Sequence, residues 1–289
     1  MKKIIRWAVA LSLAFAASAA SAAISCSSIT GSASATVTNV FAGGNIDVSG
    51  AISFTCTRAA GDPKFPATFY IGTSGTNGSR NLSNGGNTLA YQLFTAYPGC
   101  SAAWQNTGTD ISVANSLTAG GDRTTSFSNI PFCLRVTPAN TTKPLVFSAS
   151  ETLTIRSASG GGTSYGTGTL SVSGTVNALC LTTTGNTLLF NYTSFQSSAQ
   201  PGTNGTFVVQ CTNTTSFSLS LDAVTGTAAG LTYNLGLTSV GTQNLNSQSG
   251  TGNTVTYQVP GSIPAGQAGT CATGATCVGN DSRTVTITY

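Results

Sequence analysis

The chain has 289 residues and a formal net charge of +4, with only 6% charged residues and no histidine. Ordinary soluble proteins carry roughly 25% charged residues, so this chain has no dense Lys/Arg stripe of the kind that wraps nucleic acid. Without histidine there is no Ser-His-Asp triad, no imidazole metal ligand and no histidine pH switch.

Met1 to Arg6 is a short basic start, Trp7 to Ala17 an apolar run, and Ala20-Ser21-Ala22 a small-x-small cleavage signal. Residues 1–22 therefore read as a secretory signal peptide, the apolar run being too short to span a bilayer. Cleavage after Ala22 leaves eight basic residues against seven acids, a net charge of +1. The basicity belongs mostly to the signal, and export is expected.

Period-two alternation follows along the chain. In the first half it runs through Ile52, Phe54 and Cys56, then Leu145 and Phe147, Leu153 and Ile155, and Leu170 and Val172. In the second half it runs through Leu188, Phe190 and Tyr192; Phe207, Val209 and Cys211; Phe217, Leu219 and Leu221; Val255, Tyr257 and Val259; and Val285, Ile287 and Tyr289. Ser, Thr, Asn or Gln fill the positions between. One face is buried and one solvated, as in half-buried strands, and Gly, Asn, Ser and Pro punctuate the runs as turns. No mature segment sustains a helical period. The expected class is all-β, built from sandwiches.

Eight cysteines lie beyond the signal, at 26, 56, 100, 133, 180, 211, 271 and 277. An even count in an exported chain reads as disulfides. Zinc would need CxxC pairs or histidines, and the sequence has neither.

The chain repeats itself once. Cys26 precedes Phe41 by fifteen residues, as Cys180 precedes Phe195, and Cys56 and Cys211 follow 30 and 31 residues after the first cysteine of each half. Leu89-x-Tyr91-x-Leu93 matches Leu231-x-Tyr233-x-Leu235, and Thr169 to Val172 matches Thr284 to Tyr289. Two copies are a duplication, not a solenoid. The join falls near Gly174, giving domains 23–175 and 176–289, with Gly160-Gly161-Gly162 a loop inside the first. The repeat pairs Cys26 with Cys56 and Cys180 with Cys211, and Cys100–Cys133 and Cys271–Cys277 follow by domain.

The second half resembles the spore coat protein U domain family, the subunit domain of archaic (Csu-type) chaperone–usher pili. Cys180, the Leu188 to Tyr192 run, Val208-Val209-Gln210-Cys211-Thr212, Ser262-Ile263-Pro264-Ala265-Gly266 and the terminal Thr284 to Tyr289 carry the resemblance. The first half keeps Cys26, Phe41 and Cys56 with longer insertions. A two-domain chain of this kind, with a pilin domain last, resembles the tip adhesin. The resemblance implies two immunoglobulin-like sandwiches in tandem, the second lacking one strand. It also implies passage through the periplasm to the cell surface, at the pilus tip, in support of attachment and biofilm formation. The implied partners are a periplasmic chaperone, an outer-membrane usher, and an adjacent pilin that donates a strand by β-augmentation. No cofactor or nucleic acid is implied. Val285, Ile287 and Tyr289 are then the subunit- and chaperone-binding residues.

A donor strand ahead of the first domain needs roughly a dozen residues, whereas Cys26 comes four residues into a mature chain starting at Ala23. The expectation is a subunit that accepts a strand and donates none, as at a distal end.

From Cys56 to Tyr91 there are 35 residues against 22 from Cys211 to Tyr233, and from Tyr91 to Val172 there are 81 against 54 from Tyr233 to Ile287. The first half thus carries about 40 extra residues, expected largely in loops, where function concentrates. Three proline-containing apolar segments stand out: Lys64 to Ala67, Ala96 to Trp104, and Asn129 to Leu134. The candidate surface-binding residues are Phe65, Pro66, Tyr97, Pro98, Ala102, Ala103, Trp104, Ile130, Pro131 and Phe132, with Cys100–Cys133 stapling the last two segments together. If exposed, they form an apolar patch suited to apolar material; otherwise Phe65, Trp104 and Phe132 are core. The seven acids are scattered with a single glutamate, Glu151, and no nucleotide, zincin or serine-hydrolase motif occurs, so no enzyme is expected. A glycan-binding lectin using Asn, Asp, Tyr97 or Trp104, and a structural coat protein, are the rival readings.

Overall fold

In a computed structural model, which describes residues 24–62, 64–115, 123–270 and 278–289, every regular element except one 3-10 turn is a strand. The first half contributes β1 (Ser25–Val37), β2 (Ile46–Thr57), β3 (Thr68–Thr73), β4 (Asn81–Asn84), β5 (Asn87–Phe94), β6 (Ile111–Ala114), β7 (Thr124–Thr137), β8 (Val146–Ala158) and β9 (Gly161–Val176). Alternation sets the faces: β1 buries Gly31, Ala33, Ala35 and Val37 and turns Ser32, Ser34 and Thr36 outward. All nine strands form one sheet in the order β4-β5-β7-β2-β1-β9-β8-β3-β6. A bridge from Ser83 to Ser148 also joins β4 to β8, so seven strands run in a ring around one core and few edges stay open. The tight turn between β8 and β9 is Ser159-Gly160, with Gly160 at a left-handed φ of 68°, while Gly161 and Gly162, expected in a loop, already begin β9, Gly161 opposite Ala158.

The core is aromatic. Phe54, Phe69, Trp104, Phe132 and Phe147 are fully buried. Phe132 lies directly opposite Gly50 in the β2–β7 register, and a Cβ at Gly50 would sit 2.1 Å from the Phe132 ring. That ring packs in turn on Trp104, 5.4 Å between centroids, so it has little room to give. Gly50→Ala is expected to cost about 1–3 kcal/mol by overpacking, read as a lowered urea midpoint with an unchanged slope.

The second half contributes β10 (Cys180–Thr182), β11 (Gln200–Pro201), β12 (Gly205–Cys211), β13 (Ser216–Leu221), β14 (Thr225–Ala228), β15 (Leu231–Leu235), β16 (Asn244–Ser249), β17 (Thr254–Val259), β18 (Gly261–Ile263) and β19 (Val285–Thr288). They form three small sheets, β10-β12-β17, β11-β18-β15-β14 and β16-β13-β19, around a separate core that includes Phe207, Phe217, Leu219, Leu221, Tyr233 and Tyr257. The expected strand at Leu188 to Tyr192 does not form. Residues 183–192 are irregular, although Leu188, Phe190 and Tyr192 pack on this core. Alternation there reports side-chain burial without a ladder partner.

Three expected disulfides are present among the described residues. Cys26–Cys56 and Cys180–Cys211 join directly opposed strand residues, and Cys100–Cys133 ties the segment after β5 to β7. With separations of 30 to 33 residues, loop-closure entropy makes each worth about 3–4 kcal/mol. The signal peptide and the Cys271–Cys277 pair lie outside the described residues.

Candidate functional site

The structure separates the candidate surface residues into two groups. Phe65, Trp104 and Phe132 are core, at 5%, 0% and 0% exposure, which corrects the expectation that they face a substratum. Trp104 is held by its indole N–H, which donates to the Ile71 carbonyl at 3.0 Å. Phe132 fills the notch at Gly50, and Phe65 packs on Phe69 beneath the Arg58 guanidinium. Ile130 is half-buried against the same core, and Pro66 and Ala102 are half-buried too. Tyr97, at 41%, Pro98, Ala103 and Pro131 are exposed. The segment 95–103 is a closed loop: Thr95 N–H donates to the Ala102 carbonyl at 2.9 Å, and Phe94 bridges to Ala103.

The terminal strand is the second candidate. β19 pairs antiparallel with β13, Leu219 opposite Ile287 and Leu221 opposite Val285. It is the last strand of its sheet, so its other edge carries no strand among the described residues. Val285 and Ile287 remain half-buried and Tyr289 is exposed. The repeat supplies a comparison. In the first half, the matching Leu170 and Val172 of β9 are fully buried, with β8 on one side and β1 in parallel on the other. In the second half, the counterpart of β1 has three strand residues, pairs with β12, and then leaves the sheet. Among the described residues, no strand takes beside β19 the place that β1 takes beside β9. Ahead of β19, Arg283 donates to the Tyr233 hydroxyl at 2.8 Å and to Asp281 at 2.6 Å, anchoring the strand's entry.

One buried polar cluster was not singled out from sequence. The Arg80 and Glu151 side chains, 2% and 7% exposed, form an ion pair at 2.5 Å. Glu151 also accepts from Thr73, from the Gly75 N–H at 3.0 Å and from the Tyr91 hydroxyl at 2.6 Å. Arg80 donates further to Asn77 and to the Trp104 carbonyl at 2.7 Å. Burial pushes the Glu151 carboxyl up, but the hydrogen bonds from Arg80, Thr73 and Tyr91 outweigh it and hold the group below its ordinary value. Burial and the Glu151 charge push the Tyr91 hydroxyl up. The only signal in the sequence was that Glu151 is a lone glutamate in a nearly uncharged chain. Its partners are a cation and hydrogen-bond donors, whereas a glycosidase needs two carboxylates facing one cleft.

A shallow groove of about 780 Å³ crosses β2, β1, β9 and β8 and is lined by small residues, among them Ser32, Ser34, Ser49, Ser150 and Ser171, with no charged or aromatic side chain.

With this geometry in place, comparison with known proteins adds the following. Among solved structures, the fold is similar to the CsuC–CsuE chaperone–tip adhesion subunit pre-assembly complex from archaic chaperone-usher Csu pili of Acinetobacter baumannii. That likeness has 15% identity and a TM-score of 0.52, and covers 92% of this chain and 100% of that one. The CupB6 tip adhesin of Pseudomonas aeruginosa is similar at 13% identity and a TM-score of 0.41, covering 93% and 96%. At 15% identity the first likeness is one of fold, and that fold is adhesin-like. A sequence search of curated proteins gives no match. The profile of the Spore Coat Protein U domain matches residues 11–155, in the first half, whereas the closer resemblance was expected in the second. That span, half of the chain, together with the disulfide-bonded all-β architecture, makes the chain a member of the Spore Coat Protein U domain family.

Proposed function

We propose that the chain is the tip subunit of a chaperone–usher pilus that mediates surface attachment and biofilm formation. It has two domains, 23–175 and 176–289, each an immunoglobulin-like sandwich and the second incomplete. The observation that carries this reading is the open slot beside β19. Among the described residues, the same alternating strand is flanked on both sides in the first half and on one side in the second. A strand from another protein would complete it by β-augmentation, with main-chain hydrogen bonds for strength and alternate side chains in the groove for fit. A periplasmic chaperone fills the groove first, and at the outer-membrane usher the adjacent pilin replaces it. The solved CsuC–CsuE complex, a chaperone with a tip subunit, supports that order. The first domain, completed by its own β1, is left to bind the surface, and it does so without enzymatic chemistry.

The binding residues on this reading are Tyr97, Pro98, Ala103 and Pro131, with the half-buried Ala102 beside Ala103. Uncharged apolar groups carry little polar desolvation cost on meeting apolar material, and an aromatic ring brings a large contact area. Tyr97→Asp with Ala103→Asp is expected to lower attachment of piliated cells to polystyrene at least tenfold while fibres still assemble. Wild-type attachment by the double variant would move the binding surface elsewhere. The hydroxyl-lined groove favours a second reading, a glycan-binding tip, and a glycan array probed with the full chain separates the two.

A further inference from the structure

We propose that the Cys100–Cys133 disulfide is a positioning staple: it holds loop 95–103 in its presenting conformation independently of the core beneath it. The inference rests on the attachment reading above. The two buried disulfides of the first half differ in kind. Cys26 and Cys56 belong to the main core and join residues already paired across β1 and β2. Cys100 and Cys133 form a small buried cluster of their own with Phe94, apart from that core. The loop they tie down has no regular structure, and Ala96, Tyr97, Pro98, Gly99 and Ser101 along it are exposed.

Backbone geometry points the same way. Gly99 has φ 110° and Cys100 has φ 38°, the left-handed region that side-chain-bearing residues rarely enter. Such conformations persist where surrounding structure over-determines them. For Cys100 the covalent link to β7 is that constraint. The cluster is also covered. The Arg135 guanidinium lies 4.8 Å from the Phe94 ring and is held by two hydrogen bonds to Asp47, both 2.7 Å. The Asp47 carboxylate lies within 4.8 Å of both sulfurs. Cys100 and Cys133 are buried beneath this ion pair, which keeps out the attacking thiolate that disulfide exchange requires, so the staple is built to stay closed. Cutting it leaves the ring of strands and the aromatic core untouched and frees a unit that opens locally.

The test compares wild type with Cys100→Ala/Cys133→Ala and with Gly99→Ala in the full exported chain, by hydrogen exchange and by attachment. A Cβ at Gly99 meets nothing within 4 Å, so that variant changes backbone preference alone and leaves the disulfide in place. In the double variant, exchange in 95–103 is expected to rise at least tenfold more than in peptides from β1, β2 and β9, whose protection falls only by the loop-closure stability that the disulfide supplied. Attachment is expected to fall at least tenfold there, and to fall measurably in Gly99→Ala. Unchanged exchange in the loop would overturn the proposal, as would a rise no larger in the loop than across the first sheet, or a loosened loop with full attachment. A wild-type chain that does not attach would count against the proposed function instead, and the exchange comparison would still decide whether the staple holds the loop.

Discussion

Arg80→Ala is expected to destabilise the first half by about 3–5 kcal/mol, the cost of leaving a buried charge without its partner. Glu151 would keep Thr73, Tyr91 and the Gly75 N–H, but these supply no positive charge. The Trp104 carbonyl would lose the Arg80 donor at the same time, and Asn77 would keep only the Leu93 N–H on its side-chain oxygen. Replacing both charged residues by apolar ones of similar size, Arg80→Met with Glu151→Leu, is expected to cost less than the single change. The pH response carries the same signature. In the wild type the Glu151 carboxyl is held below 4.5. Its contribution is therefore fully present above the unfolded value and is lost as pH falls through the lower folded one. In Arg80→Ala, burial dominates and pushes the carboxyl up. That variant should gain stability on acidification toward pH 4.5, where the wild type is beginning to lose it. Urea midpoints at pH 7 and pH 4.5 measure both trends, and parallel behaviour of the two proteins would remove Arg80 as the cause.

Ile287→Asp is expected to reduce surface display of the chain at least tenfold. Ile287 faces Leu219, which is fully buried, and packs half-buried on the second core. A carboxylate there is desolvated without a partner, first against the core and again against any strand laid along the open edge. Thr286→Asp is the matched control: Thr286 is exposed on the same strand, and surface changes of that kind usually stay within about 0.5 kcal/mol. Whole-cell immunoblots of the two variants give the comparison. Equal display of Ile287→Asp and wild type would make β19 an ordinary edge strand.

Much of the fold was legible because its cause is local. Strands such as Phe217-x-Leu219-x-Leu221 show their buried face in the side-chain period of two, and the duplication paired four cysteines by spacing alone. What was not legible depends on register or on distant partners. Trp104 and Phe132 stand beside cysteine and proline in loop-like text, yet they are buried. The reason is that Gly50, 82 residues before Phe132 in sequence, leaves a notch directly opposite it. Arg80 and Glu151 are 71 residues apart, and nothing in either neighbourhood announces the pair. At Leu188 to Tyr192 the alternation was real, but no strand lay alongside to complete a ladder. The alternation of Val285 and Ile287 in β19 was visible in the sequence. The comparison that gives it meaning, β1 filling the matching slot beside β9, required the sheet order.

The central claim, a tip subunit that accepts a strand and presents its first domain outward, is tested most directly by where the chain sits on assembled fibres. Immunogold labelling of the first domain on negatively stained cells should give one label at the free end of each fibre. Labels spaced along the fibre shafts, or spread over a coat that bears no fibres, would contradict it.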